Sequence, residues 1–304
     1  MKYVEMEDAG GSRSVNSHWK MRNAKDELMS PASYAGFYTA ITIAAMEDTG
    51  YYKGNYSNAE SMAWGKNAGC GLFNEKCVID GVSQIPGMFC DTKNMVINEF
   101  SCTSNRLGIG NCDITNNKNY APLFQYFTNP TTGGSEGWMD FCPYIKDYPQ
   151  TRFSNGDVNV LSGSVFSESA RCFSASKSTT LEIGNGENMT AVCADVLCDE
   201  ATATYQVRVK GAGGFVDRSR EGTLVPAMYS PEFRSGMIEC PPYDEVCTGN
   251  PSVRSGTNAS RNSVSSETPG SNESRYIAAS GTTGGVHHLT PMLVVALAGV
   301  FAFA

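Results

Sequence analysis

Histidine is nearly absent from this chain. There are three in 304 residues, two of them adjacent at His287 and His288, which leaves His18 alone in the interior of the sequence. Basic runs are absent too, and the formal net charge is −8. That balance excludes a nucleic-acid partner, because gripping a phosphate backbone needs clustered Lys and Arg. No apolar run reaches the roughly 17–25 residues a membrane-spanning helix requires. The opening stretch MKYVEMEDAGG has no apolar h-region, so no secretion signal is visible.

Cysteine, by contrast, is plentiful. Eleven are scattered at 70, 77, 90, 102, 112, 142, 172, 193, 198, 240 and 247, with no repeated CxxC unit and almost no histidine nearby. Zinc ribbons and fingers are disfavoured, and a disulfide framework in an oxidising compartment is predicted. Four N-x-S/T sequons, at Asn55, Asn188, Asn258 and Asn272, agree with that compartment. An odd number of cysteines leaves at least one without a partner inside the chain. Either it pairs elsewhere or the sequence is a piece of a longer one.

The last thirteen residues, MLVVALAGVFAFA over 292–304, are apolar or small and uncharged. Small residues Ala278, Ala279, Ser280 and Gly281 lie upstream, followed by a polar spacer over 282–288. Small residues, spacer and hydrophobic end form the pattern of a GPI-attachment signal. Ser280 is the expected anchor residue, with Ala278 and Ala279 next. Residues 281–304 would then be removed, taking His287 and His288 with them. A short tail-anchored helix is the alternative.

A helix is predicted over 31–49. Ser30 serves as its N-cap and Pro31 suits its first position. Phe37, Tyr38, Ile41, Ala44 and Ala45 recur at helical spacing, and Gly50 ends it. From about residue 76 the texture becomes loop-rich and cysteine-dense. The clearest strand is TATYQVRV over 202–209, where Tyr205, Val207 and Val209 alternate with polar neighbours. Residues 248–285 are rich in Ser, Gly, Asn and Thr, have little to bury, and up to 280 read as a glycosylated stalk.

Taken alone, His18 is a polar loop histidine and Met29 a core methionine, since a catalytic zinc takes three protein ligands. The wider string says more. HWKMRNAKDELMSPASYAGFYTAITIAAMEDTGYY, with ESMAWGKNAGC at 60–70, resembles the leishmanolysin family, the surface zinc metalloproteases of trypanosomatids. The resemblance continues through MFC at 88–90, GNC at 110–112, MDFCP at 139–143, ARC at 170–172 and CPPYDEVC at 240–247.

Membership would imply a metzincin-type zinc endopeptidase, in which an HExxH helix gives two histidines and a glutamate base. Carried over by position, His18 matches the third zinc ligand and Met29 the methionine of the turn beneath the metal. The polar run from Asn23 to Glu27 would fix the loop between them by backbone hydrogen bonds. No HExxH occurs in this sequence, so the catalytic glutamate is absent. The chain by itself is expected neither to hold Zn2+ stably nor to cleave peptides.

The resemblance also implies that Cys70 bridges to a region outside this sequence. The pairs it implies for the rest are Cys77–Cys142, Cys90–Cys112, Cys102–Cys172 and Cys198–Cys247, leaving Cys193–Cys240. Spacing alone does not determine connectivity.

The expected architecture is α+β. A remnant of a metzincin-type catalytic subdomain, the Met-turn plus a helix, occupies 1–75. A disulfide-rich, loop-rich C-terminal domain with short strands follows over 76–247, then the stalk over 248–280 and the anchor signal over 281–304. Implied partners are protein or peptide substrates, host surface proteins in a role in adhesion, and the outer leaflet of the plasma membrane through a GPI lipid. Two other readings stand beside the protease. One is a non-catalytic GPI-anchored glycoprotein acting in adhesion or as a decoy, and the other is the product of a truncated gene.

Overall fold

A computed structural model describes residues 4–32, 35–92, 100–153, 156–176, 179–218 and 222–247. The stalk, the anchor signal, Asn258, Asn272, Ser280, His287 and His288 lie outside the described residues.

The helix predicted over 31–49 is shorter than its sequence pattern. Helix α1 spans Ala40–Asp48, with Thr39 rather than Ser30 as N-cap, its side chain accepting from the Ile41 amide. The cause lies in competing backbone bonds. Phe37 donates to the Asp26 carbonyl and accepts from the Leu28 amide, both at 2.9 Å, so the chain at 37 is held extended against 26–28. Gly36 turns into that pairing at φ +63°, a conformation costly for any other residue. The helix starts only once those bonds are made. Its far end behaves as the sequence suggests, with Gly50 at φ +77° just past the last turn. Short helices α2 and α3 span Gly71–Asn74 and Tyr243–Val246.

The remainder is short antiparallel strands. In chain order these are β1 Val78–Ile79, β2 Val82–Ser83, β3 Ser101–Cys102, β4 Gly108–Cys112, β5 Ile114–Thr115, β6 Gly133–Gly134, β7 Ile145–Arg152 and β8 Ala170–Ser174. Then come β9 Leu181–Ile183, β10 Asn188–Met189, β11 Ala191–Asp199, β12 Thr204–Arg208, β13 Val216–Arg218, β14 Gly222–Leu224, β15 Phe233–Ser235 and β16 Ile238–Cys240. The largest sheet runs β13-β12-β11-β8, and smaller ones run β3-β4-β7 and β10-β9-β15. Strand β12 matches its alternating pattern, with Tyr205 and Val207 buried and Arg208 exposed.

Two hydrophobic clusters hold these elements. The larger joins β8, β9, β11 and β12 through Phe173, Leu181, Val192, Val196 and Val207. The smaller draws on both sides of position 75, packing Met21, Trp64 and Leu72 with Val78, Phe89, Tyr126, Met139 and Tyr144. The elements carrying His18 therefore share a core with the cysteine-dense part of the chain.

Four disulfides are present: Cys77–Cys142, Cys90–Cys112, Cys102–Cys172 and Cys198–Cys247. The expected Cys193–Cys240 bridge is not among them. Both residues are buried in the larger cluster, Cys193 mid-strand in β11 in register with Cys172 and Cys240 at the end of β16. The Cys193 amide donates to the Ser164 hydroxyl at 3.1 Å. Cys70, at the start of α2, is exposed and unbonded.

Candidate functional site: the loop from His18 to Met29

Residues 17–31 look in sequence like a charged surface turn, yet most of them are buried. Trp19, Lys20, Met21, Asn23, Lys25, Asp26 and Glu27 all have little contact with solvent, and Glu27 has none. The loop closes on itself where the Trp19 amide donates to the Met29 carbonyl at 2.9 Å. His18 and Met29, eleven positions apart in sequence, are thereby brought to the same end of the loop. Both are half-buried. The His18 ring lies with Nδ1 2.9 Å from the Ser17 hydroxyl, and its carbonyl accepts from the Glu7 amide at 2.8 Å.

Three buried carboxylates shape this loop. Glu7 accepts from the amides of Asp8, Ala9 and Met21. Asp26 takes the Lys25 ammonium and the Asn105 amide on Oδ1, at 2.9 and 3.0 Å, and the Ser104 hydroxyl on Oδ2 at 2.9 Å. It thus fastens the loop to the turn between β3 and β4. Glu27 accepts from the Met29 amide at 2.5 Å, from Thr42 Oγ1 at 2.6 Å and from Thr39 Oγ1 at 3.2 Å. A buried carboxylate is tolerated only when its oxygens are bonded, and each of these is.

Lys20, almost wholly buried, reaches Asp8 at 2.6 Å and Asp140 at 3.0 Å. Burial acts to lower its pKa, but the two carboxylates outweigh that and hold it above the ordinary value. Asp140 itself is pushed up by burial despite the Lys20 charge.

The polar run between His18 and Met29 contributes through side chains as well as the backbone bond from Phe37 to Asp26. Glu7, Thr39 and Thr42 escape a reading of the sequence. A glutamate among charged neighbours and threonines in an apolar helix carry no pattern that marks them as partners. Ser30, the expected cap, is buried with a hydroxyl that has no hydrogen-bond partner. Asn55 and Asn188 are both exposed, Asn55 accepting from the Ser57 hydroxyl at 2.7 Å. No helix among the described residues is long and apolar enough to cross a membrane.

The fit to zinc is incomplete. No group of three or more His, Cys, Asp and Glu able to hold a metal occurs among the described residues. His18 offers one imidazole where a catalytic zinc takes three ligands, so these residues do not make a zinc centre by themselves.

Comparison with known proteins places the chain. The leishmanolysin model of peptidase family M8 matches residues 1–253. Leishmanolysin of Leishmania major is 40% identical over 255 residues, covering 82% of this chain and 42% of the relative. A leishmanolysin homolog of Crithidia fasciculata is 42% identical over 257 residues, covering 82% and 39%. A leishmanolysin-like peptidase of Drosophila melanogaster is 30% identical over 163 residues, covering 48% and 24%. The chain thus spans about two fifths of the length of the first two relatives. With a family match running from its first residue past its last disulfide, the chain belongs to the leishmanolysin family.

Proposed function

We propose that this chain is the part of a cell-surface zinc metalloendopeptidase that carries one metal ligand, His18, and the methionine turn, Met29. The observation supporting this is the closure of the loop, which sets the residue after His18 against the Met29 carbonyl at 2.9 Å. With its other ligands supplied from outside this sequence, a zinc held by His18 would supply Lewis-acid chemistry, lowering the pKa of a bound water and polarising a peptide carbonyl. The role of this chain is to hold the His18 imidazole in place and to brace its loop against the disulfide-tied strands. A complete site would require two further nitrogen ligands and a general base beyond those in this sequence.

On this reading residues 1–75 are a metzincin-type portion and 76–247 the disulfide-rich domain. Cys70, exposed and unbonded, bridges to polypeptide outside this sequence. Exposed Asn55 and Asn188 are open to glycosylation, and the pattern around Ser280 would place the protein on a GPI lipid at the cell surface. Its substrates are proteins or peptides.

A second reading, a non-catalytic surface glycoprotein for adhesion or decoy, is favoured by the single histidine among the described residues. A chimera separates the two. Residues 1–247 of this chain would replace the matching stretch of Leishmania major leishmanolysin, and peptide cleavage would be assayed. Cleavage that is lost on His18→Ala supports the protease reading. A folded chimera without cleavage supports the second.

A further inference from the structure

Glu27 is fully buried and binds groups from three places at once. Its Oε2 takes the Met29 amide at 2.5 Å, and its Oε1 takes the Thr39 hydroxyl and, at 2.6 Å, the Thr42 hydroxyl. Thr42 in turn accepts the indole N–H of Trp19 at 2.9 Å. Trp19 follows His18 directly, and its own amide donates to Met29. The path is closed: Trp19 to Thr42, Thr42 to Glu27, Glu27 to Met29, and Met29 back to Trp19.

We propose that Glu27 is the positioning residue of this loop, fixing where the His18 imidazole is presented by locking Trp19 and Met29 to the first turn of α1. Glu7 is the other buried glutamate near His18, but its carboxylate binds only Asp8, Ala9 and Met21 amides and does not reach Met29 or α1. Glu27 alone joins both ends of the loop to the helix. Charge-assisted bonds to a desolvated carboxylate are stronger than neutral ones, which suits a group holding three elements in register. The functional consequence rests on His18 being a metal ligand, whereas the positioning itself does not.

The test uses the full chain without metal. Its three tryptophans and three histidines give few enough indole N–H and imidazole Hε1 resonances for NMR assignment, with His18→Gln identifying the His18 signal. Glu27→Ala removes the acceptor that orients the Thr42 hydroxyl towards the Trp19 indole, so that indole should exchange with solvent faster, by up to about tenfold as its bond to Thr42 weakens. The His18 Hε1 signal should move towards its position in unfolded peptide. Glu27→Gln, which keeps one carbonyl oxygen, should restore both in part. The Trp64 indole, bonded to the Arg22 carbonyl outside this path, should stay unchanged.

If Glu27→Ala does not fold, Thr42→Val decides, since it cuts the path between Trp19 and Glu27 while preserving side-chain volume. The same Trp19 and His18 changes are expected there. Unchanged His18 and Trp19 signals in a folded variant would overturn the proposal. So would an equal change at Trp64, which would mark general loosening. Failure of the chimera to bind zinc would sink the functional reading and leave this measurement intact.

Discussion

The amide of Trp19 donates to the carbonyl of Met29 at 2.9 Å, pairing the residue after the only described histidine with the methionine ten positions on. That bond makes 17–31 a closed loop rather than a passing turn. Its indole, bonded to Thr42, fixes the loop to α1. Trp19→Phe removes the indole bond and some buried volume. It is expected to cost about 1–2 kcal/mol in urea unfolding, with the four disulfides unchanged by mass.

Asp26 carries a second anchor. Asp26→Ala would leave the buried Lys25 ammonium without its carboxylate, with only the rings of Trp64 and Tyr144 at 5.5 and 5.4 Å beside it. Breaking a buried pair from one side costs about 3–5 kcal/mol. Asp26→Asn, whose amide can still meet Ser104 and Asn105, should cost less. Chemical denaturation of the two variants checks the order.

Disulfide removal should scale weakly with the loop closed. Cys90–Cys112 spans 22 residues and Cys102–Cys172 spans 70. Chain-entropy arguments put their losses at about 3 and about 4 kcal/mol. Paired Cys→Ala variants followed by thermal unfolding test this ranking.

Thiol chemistry should separate Cys70 from Cys193. Alkylation of the native chain should label exposed Cys70 at once and buried Cys193 only after unfolding. Burial pushes the Cys193 thiol well above its ordinary 9.0, with the Ser164 hydroxyl pulling slightly the other way. Above pH 9 the unfolded thiol loses a proton that the folded one keeps. Stability that is fully present below pH 9 therefore falls as pH rises towards the folded value. In Cys193→Ala that part of the alkaline loss should vanish, as unfolding curves between pH 8 and about 10.5 would show.

Much of this was legible in the residues. The strand TYQVR and the glycine that ends α1 follow from local chemistry, and the four disulfides match pairs implied by family resemblance. The helix start at Thr39 was not, because the bonds from Phe37 to Asp26 and from Leu28 to Phe37 are tertiary and leave no periodic trace. Nor was the burial of Lys25, Asp26 and Glu27. Three charged residues in a row look solvated until Ser104, Asn105, Thr39 and Thr42 arrive from elsewhere in the chain to satisfy them. Cys193 and Cys240 share a core, yet the expected bridge between them is not among the four, and their spacing does not encode that.

The most direct test of the central claim is zinc stoichiometry by native mass spectrometry, on this chain and on the Leishmania major chimera with and without His18→Ala. The account predicts far less than one zinc on the chain alone, one on the chimera, and none after His18→Ala. Stoichiometric zinc on the chain alone, or zinc retained by the chimera without His18, would contradict it.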